Sequence, residues 1–136
     1  METNRYIIDF YNHYDEDGRL ASRHGMVEFL TTMRYIERFI RPGDRVLEIG
    51  AGTGRYSHAL ARQGYAVDAV ELVEHNIEVF RQNTLPEENI RIVQGNALDL
   101  SVFPDRTYDI VLLLGPLYHL YNDEDKRQAL REAIRV

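Results

Sequence analysis

The residues best suited to chemistry gather around one glycine-rich turn, Val46-Leu47-Glu48-Ile49-Gly50-Ala51-Gly52-Thr53-Gly54-Arg55. Glycine at 50, 52 and 54 removes side chains where backbone must approach a ligand closely, and a strand feeding a helix through such a turn usually receives a nucleotide-like molecule. The spacing argues against a pyrophosphate. A dinucleotide fingerprint runs G-x-G-x-x-G, whereas here the third glycine, Gly54, comes one residue early and Arg55 fills its slot. Glu48 adds charge to the argument, because a carboxylate near the carboxyl end of the first strand repels a diphosphate but suits a ligand carrying an ammonium and a sulfonium. Taken alone, the glycine triplet is also what a purely structural tight turn would use.

The elements that must hold this turn are legible from periodicity. From 23 to 40 the apolar residues Met26, Leu30, Met33, Ile36 and Ile40 recur every three or four positions, an amphipathic helix stopped by Pro42-Gly43-Asp44. A short buried-strand pattern follows at 45–49, then a helix at 56–63 closed by Gly64, a strand at 66–71, a helix at 73–83 and a strand at 90–94. The almost wholly apolar run 108–114 reads as a fourth strand covered on both faces, and 123–136 as a last helix with an Ala129, Leu130, Ala133, Ile134 stripe. Upstream, 6–14 reads as a short aromatic helix leading into the turn-like Asp15-Glu16-Asp17-Gly18. Strands alternating with helices at this spacing give βαβ units, a parallel sheet and right-handed crossovers, hence an α/β, Rossmann-like fold with helices on both faces. One domain over 1–136 is expected, with an N-terminal helical lid at 1–42 and an αβ core at 43–136.

The segment Val46-Leu47-Glu48-Ile49-Gly50-Ala51-Gly52-Thr53-Gly54 resembles the first motif of class I S-adenosylmethionine-dependent methyltransferases. Several implications follow from that resemblance. The cofactor is S-adenosylmethionine rather than NAD, with Glu48, Gly50, Ala51, Gly52 and Gly54 at its site. The family's second motif is an acidic residue ending strand two, where Glu71 stands, placed for its oxygens to accept both ribose hydroxyls, and Leu72 would flank the adenine. Gly95-Asn96-Ala97-Leu98-Asp99 resembles the motif whose side chain accepts from the adenine amino group. Asn96 replaces the more usual aspartate there, and Ala97 could offer its backbone N–H to the ring. The stretch from Asp109 to Leu120 is similar to strand four and its following loop, with the Leu114 carbonyl and Gly115 near the amino-acid end of the ligand.

Methyl transfer is an in-line displacement at an activated sulfonium, so positioning dominates. Tyr118 or His119 could face the acceptor. His119 is the candidate general base, since a free imidazole titrates at about 6.5, and packing at the strand end is the competing role. Tyr11 and Tyr14 precede a stretch similar to the part of related enzymes that closes over the ligand. Tyr14 in particular could favour a sulfonium through its ring quadrupole. The family's sheet has seven strands and this chain supplies four, which reads as a C-terminal truncation and leaves strand four as an apolar edge. Such an edge is expected to bring two copies together as a homodimer or to be covered by 123–136.

Composition narrows the function classes. With 136 residues, 44% hydrophobic and 28% charged, the chain reads as one soluble domain. It has no run of the roughly 18 to 20 apolar residues that a membrane span needs, and its start lacks signal-peptide character, so a cytoplasmic protein is expected. The absence of cysteine excludes disulfides and thiolate chemistry, and the five histidines lack metal-ligand spacing, so no metal is expected. A net charge of -6 disfavours a broad nucleic-acid surface, although Arg34, Arg38 and Arg41 could form a local patch. The expected function is a methyltransferase acting on a small-molecule acceptor. An NAD- or nucleotide-binding oxidoreductase domain and a noncatalytic S-adenosylmethionine-binding module are the alternatives.

Overall fold

The computed structural model describes Asn4, Arg5, Ile8, Asp9, Asn12, Gly18 and residues 22–136. The expectations for Tyr11, Tyr14 and the stretch 15–17 lie outside the described residues. From residue 22 onward the chain runs α1 (Arg23–Glu37), β1 (Arg45–Ile49), α2 (Arg55–Arg62), β2 (Ala66–Glu71), α3 (Glu74–Asn83), β3 (Ile90–Gln94), β4 (Ile110–Leu112), a 3-10 turn (Pro116–His119) and α4 (Asp123–Arg135).

Local chemistry explains the boundaries. Ser22 caps α1, its hydroxyl accepting the Gly25 N–H at 3.1 Å. The sequence expects α1 to continue to Ile40, but regular helix ends at Glu37, where the last turn tightens as Phe39 and Ile40 both donate to the Ile36 carbonyl. Asp44 then closes the connection by accepting the Arg41 N–H at 2.7 Å. In the same way Asn122 caps α4 by accepting the Asp125 N–H at 2.7 Å.

The strands form one parallel sheet in the order β3-β2-β1-β4. Val46, Leu47 and Glu48 of β1 pair with Val67, Asp68 and Ala69 on one side and with Ile110, Val111 and Leu112 on the other. β1 is thus central, and four of its five residues are buried. β4 is shorter than the 108–114 expected from sequence. It has a strand partner on one side only, and its flanks are engaged elsewhere, Tyr108 donating its N–H to the Val136 carbonyl at 3.0 Å.

Alternation along the strands sends side chains to two cores. On one face Val46, Val67 and Leu112 pack with Met33 and Ile36 of α1 and with Tyr56, Leu60 and Ala61 of α2. On the other, Leu47, Ile49 and Val70 pack with Leu100, Phe103 and Leu120 and with Ala129 of α4. Residues of α1 therefore share a core with β1. α4 covers a face of the sheet, and no strand lies beyond β4 among the described residues. No described helix is long and apolar enough to cross a membrane.

Candidate functional site

The glycine turn sits at the carboxyl end of the central strand, where α/β sheets open a crevice. Its backbone is fixed by β2: Gly50 and Ala51 both donate to the Val70 carbonyl, at 2.8 and 3.0 Å. Gly50 has φ +74°, and a methyl added there would come within 2.5 Å of Pro116. This close approach brings the 115–120 segment over the turn. Gly54, with φ +93°, caps α2 without any side-chain oxygen to serve the helix N–H groups.

Glu48 supplies that oxygen from β1. Its Oε2 accepts the Ser57 N–H at 3.0 Å, and the Ser57 hydroxyl donates to the same atom. A carboxylate at a helix N-terminus is favoured by the dipole. Burial opposes it, however, leaving Glu48 only 3% exposed and pushing its pKa up to about 8. The charge argument made from sequence took an ionised carboxylate for granted. In the folded chain Glu48 carries its charge conditionally, near neutral pH.

Glu71 ends β2 and turns back to the glycines. Its Oε2 accepts the Gly52 N–H at 2.7 Å, while Oε1 accepts the Val73 N–H at 2.9 Å and lies 3.4 Å from the Asn76 side-chain nitrogen. Burial raises its pKa, and the bonds from Val73 and Gly52 oppose that rise. Oε2, with one bond, keeps a lone pair for a ligand hydroxyl, whereas Oε1 already accepts from both the Val73 N–H and the Asn76 amide. Asn76 is itself 2% exposed, and sequence reasoning missed it because nothing marks a buried asparagine in the first turn of a helix.

After β3 the chain makes an Asx turn. Asn96 Oδ1 accepts the Leu98 N–H at 3.0 Å, so the oxygen expected to meet an adenine amino group already serves the backbone with one of its lone pairs.

These groups border one cavity of about 740 Å³. Of the residues expected at the site, Glu48, Gly50, Ala51, Gly52, Glu71, Leu72, Asn96, Ala97, Leu114 and His119 all line it. Gly54 does not. It packs against α3 and α2, where an added methyl would lie 2.4 Å from Phe80 and 2.8 Å from His58. Tyr14 lies outside the described residues. Sequence reasoning did not assign Glu28 and Thr32 of α1, Arg55 or Pro116 to the wall. The first two are separated from the turn by a whole connection, and Arg55 was legible only as the residue replacing a glycine. Among the described residues no cluster of three or more histidine or acidic side chains could hold a metal.

The cavity is bordered by two buried acids, Glu48 and Glu71, and by the glycine backbone at 50 and 52. Residues 46–136 match the family described as "Methyltransferase domain". Demethylmenaquinone methyltransferase of Clavibacter sepedonicus is 35% identical over 94 residues, covering 69% of this chain and 37% of that protein. An rRNA methyltransferase of Streptomyces thermotolerans is 36% identical over 91 residues, covering 63% and 30% respectively. The chain therefore spans well under half the length of either relative. In fold it is similar to phosphoethanolamine N-methyltransferase 1 of Haemonchus contortus, solved with phosphoethanolamine and S-adenosylhomocysteine. The TM-score is 0.78 at 20% identity, covering 98% of this chain and 29% of that one.

Proposed function

The chain belongs to the methyltransferase-domain family, and from that premise we propose that its cavity binds S-adenosylmethionine and serves methyl transfer to a small-molecule acceptor. The observation that carries this reading is the Glu71 carboxylate. It is locked to the glycine turn through Gly52, yet it borders the cavity with acceptor capacity left on Oε2 for a ribose hydroxyl. Leu72 and Ala97 offer apolar walls for the adenine, and Asn96 keeps a lone pair for its amino group. At the far end Glu48 meets the ammonium, and the Leu114–Gly115 stretch lies alongside.

When bound, the cofactor supplies an activated methyl: the S–CH₃ bond breaks as the acceptor–CH₃ bond forms, and sulfur keeps the electron pair. The chain's own part is to hold the two reactants in line and exclude water. His119 and Tyr118 line the cavity from the 3-10 turn, which supports assigning them to the acceptor side. His119 is proposed as the base that takes the acceptor's proton where the acceptor is a hydroxyl or ammonium.

A nucleic-acid acceptor is the second reading, favoured by the rRNA methyltransferase among the relatives. The net charge of -6 weighs against it, because phosphate contacts supply most of non-specific RNA affinity. Pairing of two copies through the β4 edge is also proposed, with light scattering at rising concentration as its measure.

Calorimetric titration of the folded chain with S-adenosylhomocysteine, with NAD as control, tests the main reading. Micromolar binding of the first and none of the second supports it. NAD binding, or neither ligand binding, overturns it.

A further inference from the structure

A ribose offers two neighbouring hydroxyls, and Glu71 has room for one. Its Oε1 already receives the Val73 N–H at 2.9 Å and the Asn76 side-chain nitrogen at 3.4 Å, while Oε2 receives the Gly52 N–H alone. A second hydroxyl drawn from water into this wall needs a different acceptor, because burying it unpaired is costly. Asn76 stands beside Glu71 in the same cavity wall, 2% exposed, on the first turn of α3. Its nitrogen is the end of the carboxamide that can face Glu71, since the amide oxygen there would meet another acceptor. That leaves Oδ1 as the open end. It accepts no hydrogen bond among the described residues, whose one fully enclosed side-chain nitrogen or oxygen without a partner is His58 Nε2. Oδ1 therefore keeps contact with open space, and the open space Asn76 borders is the cavity.

We propose that Asn76 is a specificity-determining residue for the ligand's ribose, its Oδ1 accepting one hydroxyl while Glu71 Oε2 accepts the other. This rests on the reading of the cavity as an S-adenosylmethionine site. The division differs from the one the family resemblance implies, in which a single carboxylate serves both hydroxyls. The bond between Asn76 and Glu71 sets the two acceptors side by side, matching hydroxyls borne on adjacent carbons. It also ties α3 to the end of β2 where Val73, the residue before the helix, offers no side-chain cap and gives its N–H to Glu71. A site built to pair with a hydroxyl rejects an analogue lacking it, because the protein acceptor is then left unpaired in a desolvated wall. The cavity is thus selective for a ribonucleoside with both hydroxyls present.

The test removes groups from ligand and protein together. S-adenosylhomocysteine and its 2′-deoxy and 3′-deoxy analogues are titrated calorimetrically into wild type, Asn76→Ala and Asn76→Leu, with thermal melts of each. Leucine keeps the volume of asparagine without its acceptor. Both substitutions are expected to weaken S-adenosylhomocysteine by about 3- to 10-fold, the range of one neutral hydrogen bond. For one of the deoxy analogues that loss disappears, because the hydroxyl read by Asn76 is already absent. An equal loss on all three ligands would make Asn76 a structural support of Glu71 and overturn the proposal. So would affinity for S-adenosylhomocysteine within about twofold of wild type in both variants. Wild type alone carries part of the test: each deoxy analogue should bind at least about 3-fold more weakly than the parent, and one that binds equally well marks a hydroxyl with no acceptor. If folded wild type does not bind S-adenosylhomocysteine, the reading of the cavity itself fails, an outcome distinct from failure at Asn76 alone.

Discussion

Glu71 and Gly52 are joined across 19 positions of sequence by a 2.7 Å hydrogen bond from the Gly52 N–H to Oε2. That bond makes one carboxylate both the clamp on the glycine turn and the acid of the cavity. A backbone N–H that could have faced the ligand is spent on Glu71, and in exchange the turn and the end of β2 move as one unit.

Glu71→Ala therefore removes the ribose acceptor and loosens the turn together. Loss of a charged acceptor of a ligand hydroxyl is worth roughly 2 to 3 kcal/mol, about 30- to 150-fold in affinity for S-adenosylhomocysteine. Glu71→Gln keeps an acceptor for one hydroxyl and for Gly52, so calorimetry is expected to place it between wild type and the alanine variant. Equal affinities for all three would refute the role.

Glu48 predicts proton linkage. Its pKa is raised by burial to about 8, so near neutral pH much of the empty site holds Glu48 protonated. An ammonium favours the ionised form, so binding below about pH 8 expels a proton. Affinity for S-adenosylhomocysteine should rise from pH 6 to 8 and then level, with proton release visible as a heat that depends on buffer ionisation enthalpy. The sign for stability is opposite. The unfolded carboxyl ionises near its ordinary 4.5 while the folded one keeps its proton, so this group's contribution falls as pH climbs from 4.5 to about 8. Glu48→Gln, which can still accept from Ser57, should flatten both profiles.

Gly54→Ala is expected to destabilise the chain by about 3 kcal/mol or more, combining left-handed strain with overpacking. The added carbon meets Phe80 at 2.4 Å and the residue has φ +93°. Gly43→Ala is the internal control, because Gly43 also has positive φ but nothing within 4 Å. Its cost should be limited to about 1 to 2 kcal/mol of backbone strain. Urea melts giving equal losses would show that packing at Gly54 contributes nothing.

The buried pair Glu88 and His58, joined by the half-exposed Arg62, gives an acid-sensitive element. Glu88 accepts from Arg62 Nε at 2.7 Å and stands 2.7 Å from His58 Nδ1. Although burial opposes it, bonding to His58, Arg62 and the Leu85 N–H holds its pKa below the usual carboxylate value. A lowered carboxylate contributes stability above its unfolded pKa of 4.5 and loses it as pH falls through the lower folded value. Breaking such a buried pair costs about 3 kcal/mol. Glu88→Gln should show that loss near pH 7 by urea denaturation, with a smaller difference from wild type under acid conditions.

The sequence by itself determined the order of elements and the nature of the turn. β1, β2 and β3 occupy the ranges their apolar runs and flanking glycines indicate; β1 and β2, inside the sheet, are specified by burial on both faces, and β3 at the edge by its short apolar run between turns. Glu71 and Asn96 were legible because Glu71 ends β2 and Asn96 stands two residues after β3, positions at which the chain resembles the family's motifs. β4 was overread, since the five consecutive apolar residues at 110–114 say that a segment is buried but not how many of them find a strand partner.

Tertiary structure decided what the polar residues do. Glu48 reads as an ionised carboxylate in one dimension; its partner Ser57 and its enclosure, which shift its proton equilibrium, arise only when α2 folds back over β1. Gly54 reads as a ligand glycine, yet it is held by Phe80, 26 positions away along the chain. Arg55 reads as a departure from a motif, and only the approach of α1 with Phe29 shows a guanidinium fixed at the cavity wall. Periodicity is a local property and survives in the sequence, whereas desolvation and pairing depend on which distant side chains arrive.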